Sequence, residues 1–221
     1  MSLLPQASLF LGVIPALFIL FFTLKGYEGY YKDKNMFLTF VIGMVFGFVA
    51  AFIQSYFLSV IIIVFILAMF NQLFKTIILN IGRLHQKKET PIYGLSLGLG
   101  FGSSFTPLIL IGASTYISEE LMVLAIYTSC TLGYILMHGT TGALIGYGIF
   151  ENKLTRNLII SVLLEIPIGL LFGLMIYFSN PLNVFYLSIL SISMILYGLM
   201  IFIYVAIKVL PQIKKSKIKE K

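Results

Sequence analysis

The sequence predicts an all-α protein: a polytopic bundle of seven transmembrane helices, with the N-terminus outside and the C-terminus cytoplasmic. Three observations support this fold class. Of the 221 residues, 59% are hydrophobic and only 10% are charged, and the mean hydropathy is +1.02, which is far above that of soluble domains. The apolar residues form seven long runs. The basic residues of the loops and tail follow the first, third, fifth and seventh runs, as the positive-inside rule requires of cytoplasmic segments.

Short connections separate the seven predicted spans. The length therefore allows one membrane domain, residues 1–210, and a basic cytoplasmic tail, residues 211–221. No basic residue precedes the first span, so it is predicted to be a retained span and not a cleaved signal peptide. The richness in Ile and Lys is compatible with a prokaryotic source, in which case the membrane is the cell membrane. The predicted spans are 9–24, 36–53, 57–82, 92–113, 121–150, 158–178 and 184–209.

Local signals mark where some of these spans end or bend. Gln54, Ser55 and Tyr56 are the only interruption between spans two and three, and they are predicted to form the turn. Pro107 lies inside span four and should kink or break its outer part. Residues 179–183 form a turn by composition, since they contain Asn and Pro between two apolar runs.

The composition also excludes several classes of function. The net charge of +7 does not indicate nucleic-acid binding, because the basic residues lie in short loops and in the tail. The single cysteine, Cys130, excludes a disulfide framework within the chain and a cysteine-rich metal site. Phosphate-cradling loops, dinucleotide fingerprints and calcium loops are missing from the sequence. No cofactor is expected.

Span four carries a stripe of glycines. Gly94, Gly98 and Gly102 are spaced four residues apart, so they share one face of a helix. Small residues at this spacing allow a neighbouring helix to approach closely within lipid. The stripe is therefore predicted to serve packing and assembly. Pairs with the same spacing, predicted to pack helices tightly within the bundle, are Gly43 with Gly47, Gly142 with Gly146, and Gly169 with Gly173.

Polar residues at membrane depth are few, and each is costly there. They are predicted to form a buried cluster that holds the bundle together or lines a cavity. Its members are Asn71, Gln72, Lys75, Ser103, Ser104, His138 and Glu165.

Within this cluster, two residues of opposite charge are predicted to lie at the same depth. Depth can be estimated from the rise of a helix, about 1.5 Å per residue. Lys75 then lies about 12 Å deeper than Arg83, and Glu165 lies about 13 Å deeper than Arg156. We expect the two to pair or to share a water-filled pocket, because an isolated charge there is costly. Alternatively, Lys75 extends to the cytoplasmic face and Glu165 is protonated.

His138 is expected one to two helical turns deeper, near Ser103 and Ser104. It could serve as a metal ligand or general base, or it could be a buried histidine with hydrogen bonds to its neighbours. One histidine with at most one nearby carboxylate cannot complete a zinc site from His, Cys, Asp and Glu side chains, so no metal is predicted. A dyad of His138 with Ser103 or Ser104 is conceivable, although hydroxyls on a small-residue stripe usually serve packing.

Two motifs resemble those of a known family. The run from Gly94 through Gly98 to Gly102 resembles the glycine stretch in the fourth span of the anterior-pharynx-defective subunit of γ-secretase. Residues 136–142, which contain His138, resemble that family's histidine motif in span five. The seven spans and their orientation agree with this family as well. The resemblance implies a non-catalytic scaffold that binds and stabilises a presenilin-like intramembrane aspartyl protease.

The same subunit family resembles the wider PrsW and CAAX-protease superfamily of intramembrane proteases. In those enzymes an acidic pair followed by a basic residue precedes the glycine-rich span. This sequence has Asn71, Gln72 and Lys75 there, so the base is kept and both acids are amides. A further acid expected near Phe105 is missing, and the histidine of span six falls near Glu165. Amides cannot act as a general base at ordinary pH, so the resemblance implies a degenerate active site.

Two alternatives to the scaffold remain open. One is an intramembrane peptidase of the PrsW or CAAX type with an altered active site, which predicts activity or metal binding that depends on His138. The other is a small transporter that uses Lys75 and Glu165 and predicts an inverted repeat. The expected partners are membrane lipid and, for the scaffold, a presenilin-like protease. Nucleic acid is not an expected partner.

Overall fold

The computed structural model describes residues 4–57, 61–82, 84–85, 87–113, 121–179 and 182–214. Within these ranges the chain is all-helical, as predicted. The helix α8 continues into one π-helical turn, Val205–Val209, and then into a last helical turn at residues 211–214. The helices are α1 (Leu4–Leu24), α2 (Asp33–Phe57), α3 (Ile61–Leu79), α4 (Thr90–Ser103), α5 (Phe105–Ala113), α6 (Leu121–Phe150), α7 (Leu154–Phe178) and α8 (Val184–Tyr204).

In the described part of the chain, five helical segments are long and apolar enough to cross a membrane. Two apolar helices are shorter, Ser8–Leu24 and Ile63–Leu79. The five long segments are Asp33–Gln54, Thr90–Ile111, Met122–Phe150, Leu154–Phe178 and Val184–Lys214. Their outward faces carry large exposed apolar side chains, such as Phe48 on α2 and Ile192 on α8. Such faces are suited to contact with lipid.

One predicted boundary is wrong. Gln54, Ser55 and Tyr56 do not form a turn, because α2 continues through them to Phe57. The Gln54 side chain is buried and donates a hydrogen bond to the Tyr134 hydroxyl of α6 at 3.0 Å. Gln54 therefore belongs to an interhelical contact. The connection between α2 and α3 falls at residues 58–60, outside the described residues. The predicted loop at Ser118, part of the predicted turn at 179–183 and the lysines of the tail beyond Lys214 also lie outside them.

The helix α4 forms the centre of the bundle. Every residue from Thr90 to Ser103 is buried. α4 packs mainly against α6 on one side and α2 on the other, while α1 also contacts it. α7 and α8 pack on α6, and α3 packs on α7. Burial on all sides explains why α4 has no polar face, since a helix at the core of a bundle is apolar all round.

The glycine stripe is the contact surface between α4 and α6. A Cβ atom on Gly98 would overlap the backbone oxygen of His138, and one on Gly94 would overlap that of Gly142. A Cβ on Gly102 would lie 2.7 Å from the Cα of Ile135. Only glycine allows the two backbones this close. The helix that packs on the stripe therefore belongs to this chain.

The other glycine pairs differ from one another. Gly43 and Gly47 place the α2 backbone directly against the backbone of α4, and Gly146 lies close to Thr90. A Cβ on Gly169 would meet only the side chain of Val64, whereas a Cβ on Gly173 would meet nothing within 4 Å. Tight helix packing thus accounts for the pairs on α2 and α6, but not for Gly173.

The predicted disruption of span four is present. α4 ends at Ser103 and α5 begins at Phe105, so the break precedes Pro107 by three residues. Proline has no N–H to bond the carbonyl four residues earlier, and its ring clashes with that carbonyl. The carbonyl in question belongs to Ser103, which lies at the break against Gly12 of α1.

The basic segments meet at one end of the bundle. The backbone N–H of Lys32, after α1, donates to the hydroxyl of Tyr93 near the start of α4 at 3.1 Å. The Lys214 Nζ atom lies 4.3 Å from the centre of the Tyr27 ring. Residues 211–214 of the predicted tail pack on the bundle, where Ile213 is fully buried. The first residues of the tail are thus part of the folded domain.

Candidate functional site

Three helices bring five of the predicted polar residues together in the interior. Asn71, Gln72 and Lys75 lie on one face of α3, because residues three and four apart are neighbours on a helix. His138 comes from α6 and Glu165 from α7. Together with Thr141 of α6, these residues are called the inner polar cluster below. All six are buried.

The Glu165 carboxylate is bound by two amides of α3. Asn71 Nδ2 donates to Glu165 Oε1 at 2.5 Å, and Gln72 Nε2 donates to Glu165 Oε2. Both carboxylate oxygens therefore have a donor although the residue is only 5% exposed. Buried charge is tolerated in a protein interior when it is hydrogen-bonded in this way.

The Lys75 amine is bound by three acceptors. Its Nζ atom lies 3.2 Å from Gln72 Oε1, 2.8 Å from Thr141 Oγ1 and 2.9 Å from His138 Nδ1. An ammonium has three N–H donors, and these acceptors use all of them. The side chain is 1% exposed and lies above the ring of Phe101, 5.0 Å from its centre. Lys75 therefore does not extend to the surface of the bundle, as the alternative prediction required.

Lys75 and Glu165 are connected through the amide of Gln72. In the described part of the chain the two form no direct ion pair, whereas Gln72 accepts from the amine and donates to the carboxylate. An amide can serve both charges because it has a donor and an acceptor side. A carboxylate in place of Gln72 could not donate to Glu165 when ionised.

The His138 ring is held between an amine and aromatic rings. When Lys75 is an ammonium, it donates a hydrogen bond to Nδ1 of the neutral ring, so the ring proton is on Nε2. Nε2 is buried and has no hydrogen-bond partner among the described residues. Around the ring are Phe101, Phe105 and Tyr134, at centroid distances of 4.8, 5.2 and 5.9 Å. The histidine thus has a polar contact on one side and an apolar environment on the other.

Ser103 and Ser104 lie outside this network, contrary to the predicted cluster. The Ser103 hydroxyl donates to the carbonyl of Gly100 at 2.7 Å, and that of Ser104 donates to the carbonyl of Met44 at 2.7 Å. Both donate to backbone oxygens, so neither forms a dyad with His138. His138 lies level with Gly98, more than one helical turn from the two serines.

Thr141 was not predicted as a site residue. Its hydroxyl accepts from Lys75 and donates to the carbonyl of His138 at 3.1 Å. Its position three residues after His138 places it on the same face of α6, and this spacing could have identified it. The role of the three aromatic rings had no comparable signal, because aromatic residues are frequent throughout the chain.

The cluster offers little that could act on a substrate. Both Glu165 oxygens and His138 Nδ1 are occupied by donors within the chain, and His138 Nε2 is enclosed by side chains. The described residues contain no group of three or more His, Cys, Asp or Glu side chains that could hold a metal ion. Comparisons with protein-family models, curated proteins and solved structures gave no match.

Proposed function

We propose that the chain is an integral membrane protein with seven spans, its N-terminus outside and its C-terminus in the cytoplasm. The five long apolar segments supply five spans, and α1 and α3 supply the two others. The contacts of Lys32 with Tyr93 and of Lys214 with Tyr27 support the orientation, since they gather basic segments at one end of the bundle.

Within that membrane the protein acts as a non-catalytic scaffold. The observation that carries this proposal is the closure of the inner polar cluster. The donors and acceptors of Lys75 and Glu165 are satisfied by side chains of the same chain, and the cluster is buried between three helices. Such a network fixes the helices relative to one another. A general base, in contrast, needs a free lone pair within reach of a substrate.

The partner of the scaffold is a presenilin-like intramembrane aspartyl protease. The resemblance in span four and around His138 suggests this partner, and the convergence of Asn71, Gln72, Lys75, His138 and Glu165 supports it. These are the positions at which the resemblance predicted a degenerate active site. Since the glycine stripe is covered by α6 of the same chain, the partner binds to an outward face of the bundle.

Co-purification from the native membrane tests this proposal. A chromosomally tagged chain is extracted in mild detergent, and the proteins that accompany it are identified by mass spectrometry. We expect a membrane aspartyl protease among them, and we expect its amount in the membrane to fall when the gene for this chain is deleted. A chain that runs alone, together with a protease level that deletion leaves unchanged, would refute the proposal.

Two glycine variants provide a matched control. Gly98→Ala introduces a methyl group against the backbone of α6, whereas Gly173→Ala introduces the same group into open space. The first should reduce both the folded chain and the recovered partner, and the second should change neither. Equal partner recovery from both variants at equal expression would show that binding does not depend on the packed bundle.

A second candidate function is an intramembrane peptidase with an altered active site. The unpartnered Nε2 of His138 favours it, because a buried histidine nitrogen without a partner could contact a substrate or ion. Peptide cleavage by purified protein in liposomes, abolished in His138→Ala but retained in the control His85→Ala, which lies outside the inner polar cluster, would establish it. Metal analysis of the same samples would detect a bound ion.

A further inference from the structure

A groove of about 610 Å³ opens between α6, α7 and α8 at the basic end of the bundle. A volume of this size can hold a small ligand or part of a lipid. Its walls are apolar and include Leu144 of α6, Ile160 and Leu164 of α7, and Met200 of α8. The groove is separate from the inner polar cluster, none of whose members lines it.

The mouth of the groove is polar and basic. Lys153 lies in the connection before α7, and Arg156 and Asn157 lie in the first turn of α7. Lys153 is exposed and lies 3.4 Å from the Glu151 carboxylate, which offsets part of its charge. Arg156 is exposed and forms no ion pair within the described part of the chain. The mouth therefore retains an unbalanced positive charge.

Asn157 adds an unused polar group at the same place. The residue is 8% exposed, and its side-chain amide forms no hydrogen bond with the described residues. Among the described residues the buried side-chain atoms without a partner belong to Thr106 and His138, so the Asn157 amide is open to the groove that it lines. Beside Arg156 it can donate a hydrogen bond to a ligand that carries acceptors.

The wall formed by α8 is distorted at this level. The π-helical turn Val205–Val209 is closed by a hydrogen bond from the N–H of Leu210 to the carbonyl of Val205 at 3.1 Å. The extra residue in this turn sets the position of Val209, which lines the groove. Local π-helical turns are rare, and those that occur are frequently found at functional sites.

We propose that this groove binds a membrane phospholipid with an anionic headgroup. The phosphate lies at the mouth, where Arg156 and Lys153 supply charge and the Asn157 amide donates a hydrogen bond. One acyl chain lies along the apolar wall formed by Ile160, Leu164 and Met200. Charge complementarity selects this occupant, since an apolar wall below a basic mouth matches an acyl chain below a phosphate. The site does not depend on the scaffold function.

Native mass spectrometry of the purified full chain tests the site. The protein in an uncharged detergent is titrated separately with phosphatidylglycerol, with phosphatidylcholine of the same acyl chains, and with inorganic phosphate. We expect one tightly held phosphatidylglycerol, weaker binding of phosphatidylcholine, and no competition by inorganic phosphate at the concentration of the lipid.

Two pairs of variants distinguish the headgroup site from the acyl site. Arg156→Gln should weaken binding of phosphatidylglycerol about fivefold, whereas Lys34→Gln removes an exposed lysine that does not line the groove and should have no effect. Met200→Trp should fill the apolar wall and displace the lipid. Ile203→Trp introduces the same ring at an exposed position of α8 outside the groove and should not.

Other results would overturn the proposal. Equal affinity for the two lipids would show that the basic mouth does not recognise the headgroup. Binding of inorganic phosphate that depends on Arg156 but not on Met200 would indicate a free anion in place of a lipid. Loss of lipid in Ile203→Trp as well as in Met200→Trp would indicate a non-specific lipid shell. Thermal unfolding of each variant, compared with that of the native protein, identifies any variant that has not folded.

Discussion

Gln72 on α3 donates its side-chain N–H to the carboxylate of Glu165 on α7. The oxygen of the same amide accepts from Lys75 at 3.2 Å. A neutral side chain thus connects two buried groups of opposite charge that do not touch each other in the described structure. Removing either charge leaves the other in an apolar interior with less compensation, so the two sites should be energetically coupled.

A double-mutant cycle measures this coupling. Lys75→Met and Glu165→Gln should each lower the free energy of unfolding by about 3–5 kcal/mol, because each leaves the other charge uncompensated in the interior. The double variant should be less destabilised than the sum of the two single variants. The measurement is unfolding in mixed detergent micelles, followed by circular dichroism. Lys34→Met, at an exposed position, is the control and should change little. Additive effects of the two substitutions would contradict the coupling.

Two buried threonines provide a second test of the inner polar cluster. The hydroxyl of Thr141 has a hydrogen-bond partner in the cluster, whereas that of Thr106 has none among the described residues. Thr141 Oγ1 accepts from Lys75 at 2.8 Å, whereas Thr106 Oγ1 is buried with no partner among the described residues. Thr141→Val should lower the free energy of unfolding by about 1–3 kcal/mol, the cost of an unsatisfied charged donor. Thr106→Val removes an unpaired hydroxyl at constant shape and should leave the stability unchanged or raise it.

The same unfolding assay distinguishes the two threonines. If Thr106→Val were as destabilising as Thr141→Val, the Thr106 hydroxyl would have a partner that the structure does not contain, such as a buried water. The helical content of both variants should equal that of the native protein, because valine has the branched shape of threonine and a similar helix propensity.

Hydropathy and charge placement were sufficient to predict the helical architecture. α6 begins and ends as predicted, at Leu121 and Phe150, because charged or turn-forming residues flank a continuous apolar run. The end of α2 was predicted wrongly. Gln54 resembles a turn residue in the sequence. Its side chain, however, donates a hydrogen bond to the Tyr134 hydroxyl of α6, and the helix continues. Such a tertiary partner cannot be identified from local composition.

The site was predicted in part, and for a related reason. Helical spacing places Asn71, Gln72 and Lys75 on one face, and depth relates Lys75 to Glu165. The hydroxyls of Ser103 and Ser104 could not be assigned in this way, because a serine on a helix can donate either to its own backbone or to a neighbouring helix. The structure shows that both donate to backbone carbonyls. The bridging role of Gln72 depends on the orientation of its amide, which no sequence pattern indicates.

The contact of α4 with α6 predicts a large difference between two glycine substitutions. Gly98→Ala should destabilise the bundle by about 1–3 kcal/mol, the usual cost of inserting a methylene into a packed core, because the backbone of α6 would have to move. Gly173→Ala should be neutral or slightly stabilising, since alanine favours helix and nothing lies within 4 Å of the new atom. Thermal unfolding in detergent measures both. Similar melting temperatures for the two variants would mean that α4 and α6 are not in backbone contact.

The position of the proton on His138 can be measured directly. Lys75 donates to Nδ1 in the arrangement described above, so the neutral ring should carry its proton on Nε2. Nitrogen-15 NMR of protein labelled at histidine distinguishes the two tautomers by their shifts at neutral pH. His85, the second of the two histidines, lies in the connection before α4 and provides an internal comparison, while the spectrum of His138→Asn assigns the signals. A proton found on Nδ1 would show that the lysine is the acceptor. The amine would then be neutral, and the ionic link through Gln72 to Glu165 would not exist.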